Sequence, residues 1–225
     1  MLRIGGFQKF SLIDFPGKMA AVIFTQGCDF RCPFCHNPEL VLPEKFSDSI
    51  SEQEVLDFLK KRQGQLNGVA VTGGEPTIQG DLKAFLRKVK DLGFSLKLDT
   101  NGNNPEVLDN LIKESLIDYI AMDIKAPLER YSNVTGVQID QSKIKKSINL
   151  ILNSGLDYQF RTTVIRKFIS SNDLENVRSL LGPVRQYVLQ KFDPTSTLLD
   201  ETLKDARVYN EEEFLALKEK YEKKM

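Results

Sequence analysis

The chain has 225 residues, 41% hydrophobic and 28% charged, a globular composition that excludes disordered, collagen-like and coiled-coil classes and accommodates one large domain or two small ones. Its 31 Lys and Arg residues balance 31 Asp and Glu residues, so no broadly basic surface for nucleic acid or anionic membrane is expected. The longest apolar run, Met19 to Phe24, is far shorter than the roughly 20 residues of a membrane span, and the N-terminus lacks the apolar core of a signal peptide, so the expected compartment is the cytoplasm.

Along the chain, strand-like runs alternate with helix-like patterns. A short N-terminal extension precedes the first predicted strand, Ala21 to Thr25, and a cysteine-rich loop, Cys28 to His36, follows it. Ser51-Glu52-Gln53-Glu54 has capping-box spacing and opens a helix bearing Val55, Phe58 and Leu59. The second strand, Val69 to Thr72, ends in Gly73-Gly74-Glu75-Pro76; Leu82, Phe85, Leu86 and Val89 then repeat at helical spacing up to Gly93. Ser95 to Asp99 is the third strand, followed by Thr100-Asn101-Gly102, which reads by itself as a helix-entry loop with an Asx turn. Asn104-Pro105 starts a helix with Val107, Leu108, Leu111 and Ile112. The fourth strand, Ile117 to Asp123, leads to Lys125; Ile144, Ile148, Ile151 and Leu152 form a helix stopped by Gly155. Tyr158 to Val164 is the fifth strand, with Arg161 and Thr163 on one face and Arg166 beyond its end. Leu174, Val177, Leu180 and Leu181 form a helix stopped by Gly182-Pro183, Gln186 to Gln190 is the sixth strand, and Glu211 to Met225 is an amphipathic helix on Phe214, Leu217 and Tyr221. Six β-then-α units imply a parallel sheet with right-handed crossovers, either open and doubly wound or an incomplete barrel. No linker or repeat interrupts the pattern, so residues 1–225 read as one domain.

Only three cysteines occur, Cys28, Cys32 and Cys35, within eight residues. An odd, clustered set is a ligand set rather than a disulfide framework. It lies at the C-terminal end of a strand, where α/β folds place their active sites. With His36, the thiolates could form a structural zinc site. Alternatively they hold three irons of a 4Fe-4S cluster and leave the fourth open, since an ordinary electron-transfer cluster wants four cysteines. His36 is the only histidine, which removes Cys-His and Ser-His-Asp hydrolases, and no phosphate-binding Gly-x4-Gly-Lys-Ser/Thr loop exists.

Cys28-x3-Cys32-x-Phe34-Cys35 after the first predicted strand resembles the signature of the radical S-adenosylmethionine superfamily. With Ser11 to Gly17, Gln26-Gly27-Cys28 and Cys35-His36-Asn37-Pro38, the wider chain is similar to activating proteins of anaerobic ribonucleoside-triphosphate reductases, which act on glycyl-radical enzymes. The resemblance implies an incomplete (β/α)6 barrel of parallel strands. It also implies a 4Fe-4S cluster on the three cysteines and S-adenosylmethionine cleaved reductively to a 5′-deoxyadenosyl radical. Residues matched to the cofactor are Phe34, His36, Gly73, Gly74, Glu75, Asp99, Asn101, Asp123, Lys125, Arg166 and Gln190, with Glu75 expected on the cofactor's ammonium group. Asp99, Thr100 and Asp123 match positions that hold a monovalent cation in related activases, and Asp14 matches a residue that touches the target glycine loop, although Phe15 stands where a glycine is usual. The implied partners are the glycyl-radical subunit of an anaerobic reductase and a flavodoxin or ferredoxin electron donor; no nucleic acid or membrane is implied. The rival readings are a small-molecule enzyme such as a 7-carboxy-7-deazaguanine synthase, and a zinc-binding or electron-transfer module. Pyruvate formate-lyase activases of this architecture carry a late histidine that the chain lacks.

Overall fold

In the computed structural model, which describes residues 1–222, seven strands form one sheet whose order follows the chain. They are β1 (Ile4–Ser11), β2 (Ala20–Thr25), β3 (Gly68–Gly73), β4 (Ser95–Thr100), β5 (Tyr119–Asp123), β6 (Asp157–Val164) and β7 (Tyr187–Lys191). From β2 to β7 every pairing is parallel, and only β1 runs antiparallel to its neighbour. Sequential order with right-handed crossovers puts every connecting helix on one face. The sheet is therefore wrapped on its outer side and open on its inner side, the partial barrel that the resemblance implies. The six predicted parallel strands are all present, with ends moved by one or two residues.

The N-terminal extension is itself a strand, which the sequence reading missed. Only Ile4 and Ser11 of β1 are buried, the pairing register shifts at both ends, and Gly5 and Gly6 remove the side chains that would mark an alternation. A Cβ on Gly5 would lie 2.5 Å from Gln26 Cγ, so the glycine is there for close approach.

The outer layer comprises α1 (Pro38–Val41), α2 (Glu52–Lys61), α3 (Leu82–Asp91), α4 (Pro105–Lys113), α5 (Tyr131–Thr135), α6 (Gln141–Asn153), α7 (Ser171–Leu181) and α8 (Glu211–Tyr221). The apolar stripes of the longer helices meet outward-facing strand residues such as Ile23, Val71, Leu98, Ile120 and Phe160 in one continuous core. As expected, Ser51 caps α2 through the Glu54 amide. Helix α8 docks through Phe214 and Tyr221, and Glu222 accepts from the Leu189 amide at 2.7 Å. The predicted continuation of this helix to Met225 lies outside the described residues.

Inner faces follow the period-2 pleat. Their lower part is a separate small cluster of Phe15, Ala20, Tyr119 and Ala121, in which the Phe15 and Tyr119 rings lie 5.9 Å apart. Above it, β4, β5 and β6 present Lys97, Asp99, Asp123, Arg161 and Thr163. A polar lumen thus stands on an aromatic plug. No described helix is long and apolar enough to cross a membrane.

Candidate functional site

The cysteine loop leaves β2 at the C-terminal rim of the parallel strands and is fastened on several sides. Gly27 donates to the Leu40 carbonyl at 2.7 Å and accepts from the Glu75 amide at 2.8 Å. Asp29 accepts from the Asn101 and Asn103 amides at 2.7 and 2.8 Å, joining the loop to the segment after β4. Arg31 donates its backbone amide to Thr135 at 2.8 Å, and Phe30 meets Tyr131 edge-on at 6.3 Å. From the far end of the chain, Leu199 donates to the Cys35 carbonyl at 3.0 Å and Asp200 to the Pro33 carbonyl at 2.9 Å, so residues 199–200 strap the loop down.

Beneath the loop is a cleft of about 250 Å³ lined by Cys28, Cys32, Cys35, Phe34 and His36 from the loop, Gly73, Gly74 and Glu75 from β3, Asp99, Thr100 and Asn101 from β4, Asp123 and Lys125 from β5, and Gln190 from β7. Every residue matched to the cluster, cofactor or cation faces this one space except Arg166. Arg161 and Thr163 of β6 also line it. The sequence placed these two on a common face without assigning them to the site; the missing signal was register, since Arg161 stands opposite Asp123 in the β5–β6 ladder.

Arg166 is elsewhere. Its guanidinium lies 4.1 Å over the Tyr209 ring and pairs with Glu213, which ties the segment before α8 to the end of β6. Asp14 is also absent from the cleft. Because β1 is antiparallel, its Ser11 end pairs with Ala20 at the start of β2, and Asp14 bonds Ser11 Oγ at that opposite rim. The length of β2, about 17 Å at the usual rise per residue, separates it from the cysteine end. Phe15 occupies the lumen at that rim.

The two glycines after β3 are fixed by crowding. At φ +113°, Gly73 would put a Cβ 2.3 Å from the Thr25 amide nitrogen, and a Cβ on Gly74 would sit 2.0 Å from the Gly27 carbonyl. Glu75, 1% exposed, accepts from the Thr77 amide at 3.1 Å, the Thr77 hydroxyl, Thr100 Oγ1 at 2.7 Å and the Asn101 amide at 2.7 Å. Its carboxylate therefore locks the ends of β3 and β4 together; desolvation outweighs these bonds and pushes it up to about 7. The Asx turn is present as well, with Asn103 donating to Asn101 Oδ1 at 2.9 Å.

Asp99 and Asp123 form one ion-pair chain. Arg161 reaches Asp123 Oδ1 at 2.7 Å and Asp99 Oδ2 at 3.2 Å; Lys125 takes Asp123 Oδ2 at 2.9 Å, and Lys97 pairs with Asp99 Oδ1. Desolvation alone would raise Asp123, but Arg161 and Lys125 hold it well below the usual carboxylate range. The expected cation ligands are thus already neutralised by the protein, while the third, Thr100, donates to Glu75.

Burial raises all three thiols, Cys32 to about 11, so bare thiolates are disfavoured and a bound metal would supply the opposing charge. Among the described residues no three His, Cys, Asp or Glu side chains converge on a single-ion site. The three sulfurs line one cleft, and three soft thiolate donors suit either zinc or an iron–sulfur cluster. His36 stacks on Phe192 at 5.7 Å, so that ring face is already occupied, and His36 Nε2 is buried without a partner. An orphaned polar atom beside three soft donors fits a cluster with an organic cofactor against it.

The sequence profile of the Radical SAM superfamily matches residues 22–181. A provisionally assigned glycyl-radical enzyme activating enzyme of Methanocaldococcus jannaschii is 34% identical over 220 residues, 95% of this chain and 89% of that protein. The pyruvate formate-lyase-activating enzyme of Clostridium pasteurianum is 27% identical over 82% of this chain and 77% of its own length. Among solved structures, Streptococcus suis SuiB bound to S-adenosylmethionine superposes with a TM-score of 0.68 at 15% identity, covering 88% of this chain and 45% of that one. That likeness concerns the fold.

Proposed function

Because the chain belongs to the radical SAM superfamily, we propose that it binds a 4Fe-4S cluster and S-adenosylmethionine in this cleft and generates the glycyl radical of an anaerobic ribonucleotide reductase. A cytoplasmic flavodoxin or ferredoxin supplies the electron. Bound there, the cluster and cofactor supply the hard step, one-electron cleavage of S-adenosylmethionine to methionine and a 5′-deoxyadenosyl radical.

The chain's own residues hold, orient and exclude. Cys28, Cys32 and Cys35 are the iron ligands. Lys125, which directs one of its three N–H donors at Asp123, has donors left for the cofactor carboxylate. His36 Nε2, Asn101 and Gln190 offer polar edges to the adenosine, and Gly73 and Gly74 keep the β3 rim low enough for backbone contact. Phe30 and Phe34, both buried, line the cleft and keep water from the reactive centre.

One observation carries this reading: three cysteines with no fourth share a single cleft with the polar ends of β3, β4, β5 and β7. The test is anaerobic reconstitution, iron and sulfide analysis, and electron paramagnetic resonance after mixing the reduced, cofactor-loaded chain with the reductase's glycyl-radical subunit from the same organism. A glycine-centred doublet is expected, and Cys32→Ala should lose iron, colour and doublet together. Stoichiometric zinc without sulfide would sink the cluster assignment. Turnover of a deazapurine precursor with no doublet would move the chain toward the 7-carboxy-7-deazaguanine synthase of Thermococcus kodakarensis, 29% identical over 48% of this chain.

A further inference from the structure

We infer that Arg161 is a built-in counter-ion standing where a monovalent cation was expected, so that the site works without sodium or potassium. The inference rests on the cofactor reading of the cleft, but its central observation does not. Asp99 and Asp123 lie on adjacent parallel strands and face the same polar lumen, where two carboxylates repel unless a cation separates them. Arg161, opposite Asp123 on the next strand, fills that role with Nε on one carboxylate and Nη1 on the other, at 2.7 and 3.2 Å.

All four oxygens of the pair are engaged, Oδ1 and Oδ2 of Asp99 by Lys97 and Arg161, Oδ1 and Oδ2 of Asp123 by Arg161 and Lys125. The Arg161 side chain is 13% exposed and Lys97 is 2% exposed, so these are interior pairs, little screened by salt. Three protein cations already exceed the two carboxylates by one charge. An alkali ion would have to displace a tethered guanidinium and add to that surplus. A tethered cation also needs no capture from solution, and its planar fork spans two carboxylates in a way an ammonium cannot. Arg161 is thus a positioning residue: it sets the places of Asp99 and Asp123, and through Asp123 that of Lys125.

The test has two arms, both on the full chain at constant ionic strength with tetramethylammonium as the only small cation, then with potassium or sodium added. In the first, thermal unfolding of the chain without cluster is followed. Wild type should not shift with potassium or sodium, whereas Arg161→Gln, left with an uncompensated carboxylate pair, should melt lower and be restored saturably by either ion. Arg161→Lys should fall between them. In the second, S-adenosylmethionine affinity of the cluster-loaded protein is measured. Wild type should be unchanged between buffers, and Arg161→Gln should lose about tenfold, the scale of one charge-assisted hydrogen bond, and recover on adding the ion.

Stabilisation or tighter cofactor binding of wild type by sodium or potassium would overturn the inference, as would an Arg161→Gln protein indifferent to both ions. If S-adenosylmethionine binds in no buffer while the unfolding arm behaves as described, the cofactor reading fails and the counter-ion role stands.

Discussion

Glu75 shows how a side chain can be legible in type while the bonds it makes within the fold are not. The Gly73-Gly74-Glu75 turn pointed to a carboxylate aimed at a ligand's ammonium group, yet its oxygens accept four bonds from Thr77, Thr100 and Asn101. Its folded value of about 7 lies above the ordinary 4.5, so the folded chain holds this proton more tightly than the unfolded one. The resulting stabilisation is complete below pH 4.5 and is lost as pH rises through 7, on the order of 3 kcal/mol in all. Glu75→Gln should flatten the stability slope between these limits, as read by urea unfolding of the cluster-free chain at several pH values. It should also cost about 1 to 3 kcal/mol at low pH, because its amide NH2 would face the Asn101 N–H. The cysteines, Lys125 and Gln190 were readable because strand ends converge at one rim whatever the packing. Arg166 was not, because two residues past a strand the chain's direction is set by partners distant in sequence, here Tyr209 and Glu213.

At the scale of elements, the cysteine loop has no regular structure, and one of the ties that hold its shape is Asp29, whose carboxylate gathers the Asn101 and Asn103 side chains. Asp29→Ala should leave the three ligands in place and loosen the loop that carries them. We expect iron to be removed by a chelator about tenfold faster than from wild type, matching the roughly 1.5 kcal/mol at the low end for a charged hydrogen bond, while the unfolding midpoint moves little. The parallel strands and long helices were legible because their apolar periods are strong. Strand β1 was not, because a glycine-diluted edge strand with few buried side chains leaves no alternation to read. That omission hid the consequence for Asp14: an antiparallel β1 puts the β1–β2 turn at the rim opposite the cysteines.

For the whole molecule, the choice between an open sheet and a barrel was undecided by the residues and followed only from the resemblance, since both use the same β-then-α units. What distinguishes them is strand order, here sequential throughout. The lumen this creates is closed below by Phe15, 2% exposed, against Tyr119, Ala20 and Ala121. Phe15→Ala should destabilise the chain by about 3 to 5 kcal/mol in urea unfolding, and the loss should be present with or without the cluster, since the plug and the cleft share no residue. The strap formed by Leu199 and Asp200 bears instead on biosynthesis. Cys35 leaves the ribosome about 165 residues ahead of Asp200, a delay on the order of 10–30 s at ordinary elongation rates. Throughout that interval the nascent chain has its cysteines but not the two hydrogen bonds that pin their loop, and since Gln190 of the cleft precedes Asp200 by only ten residues, the loop is pinned almost as soon as the cleft can form.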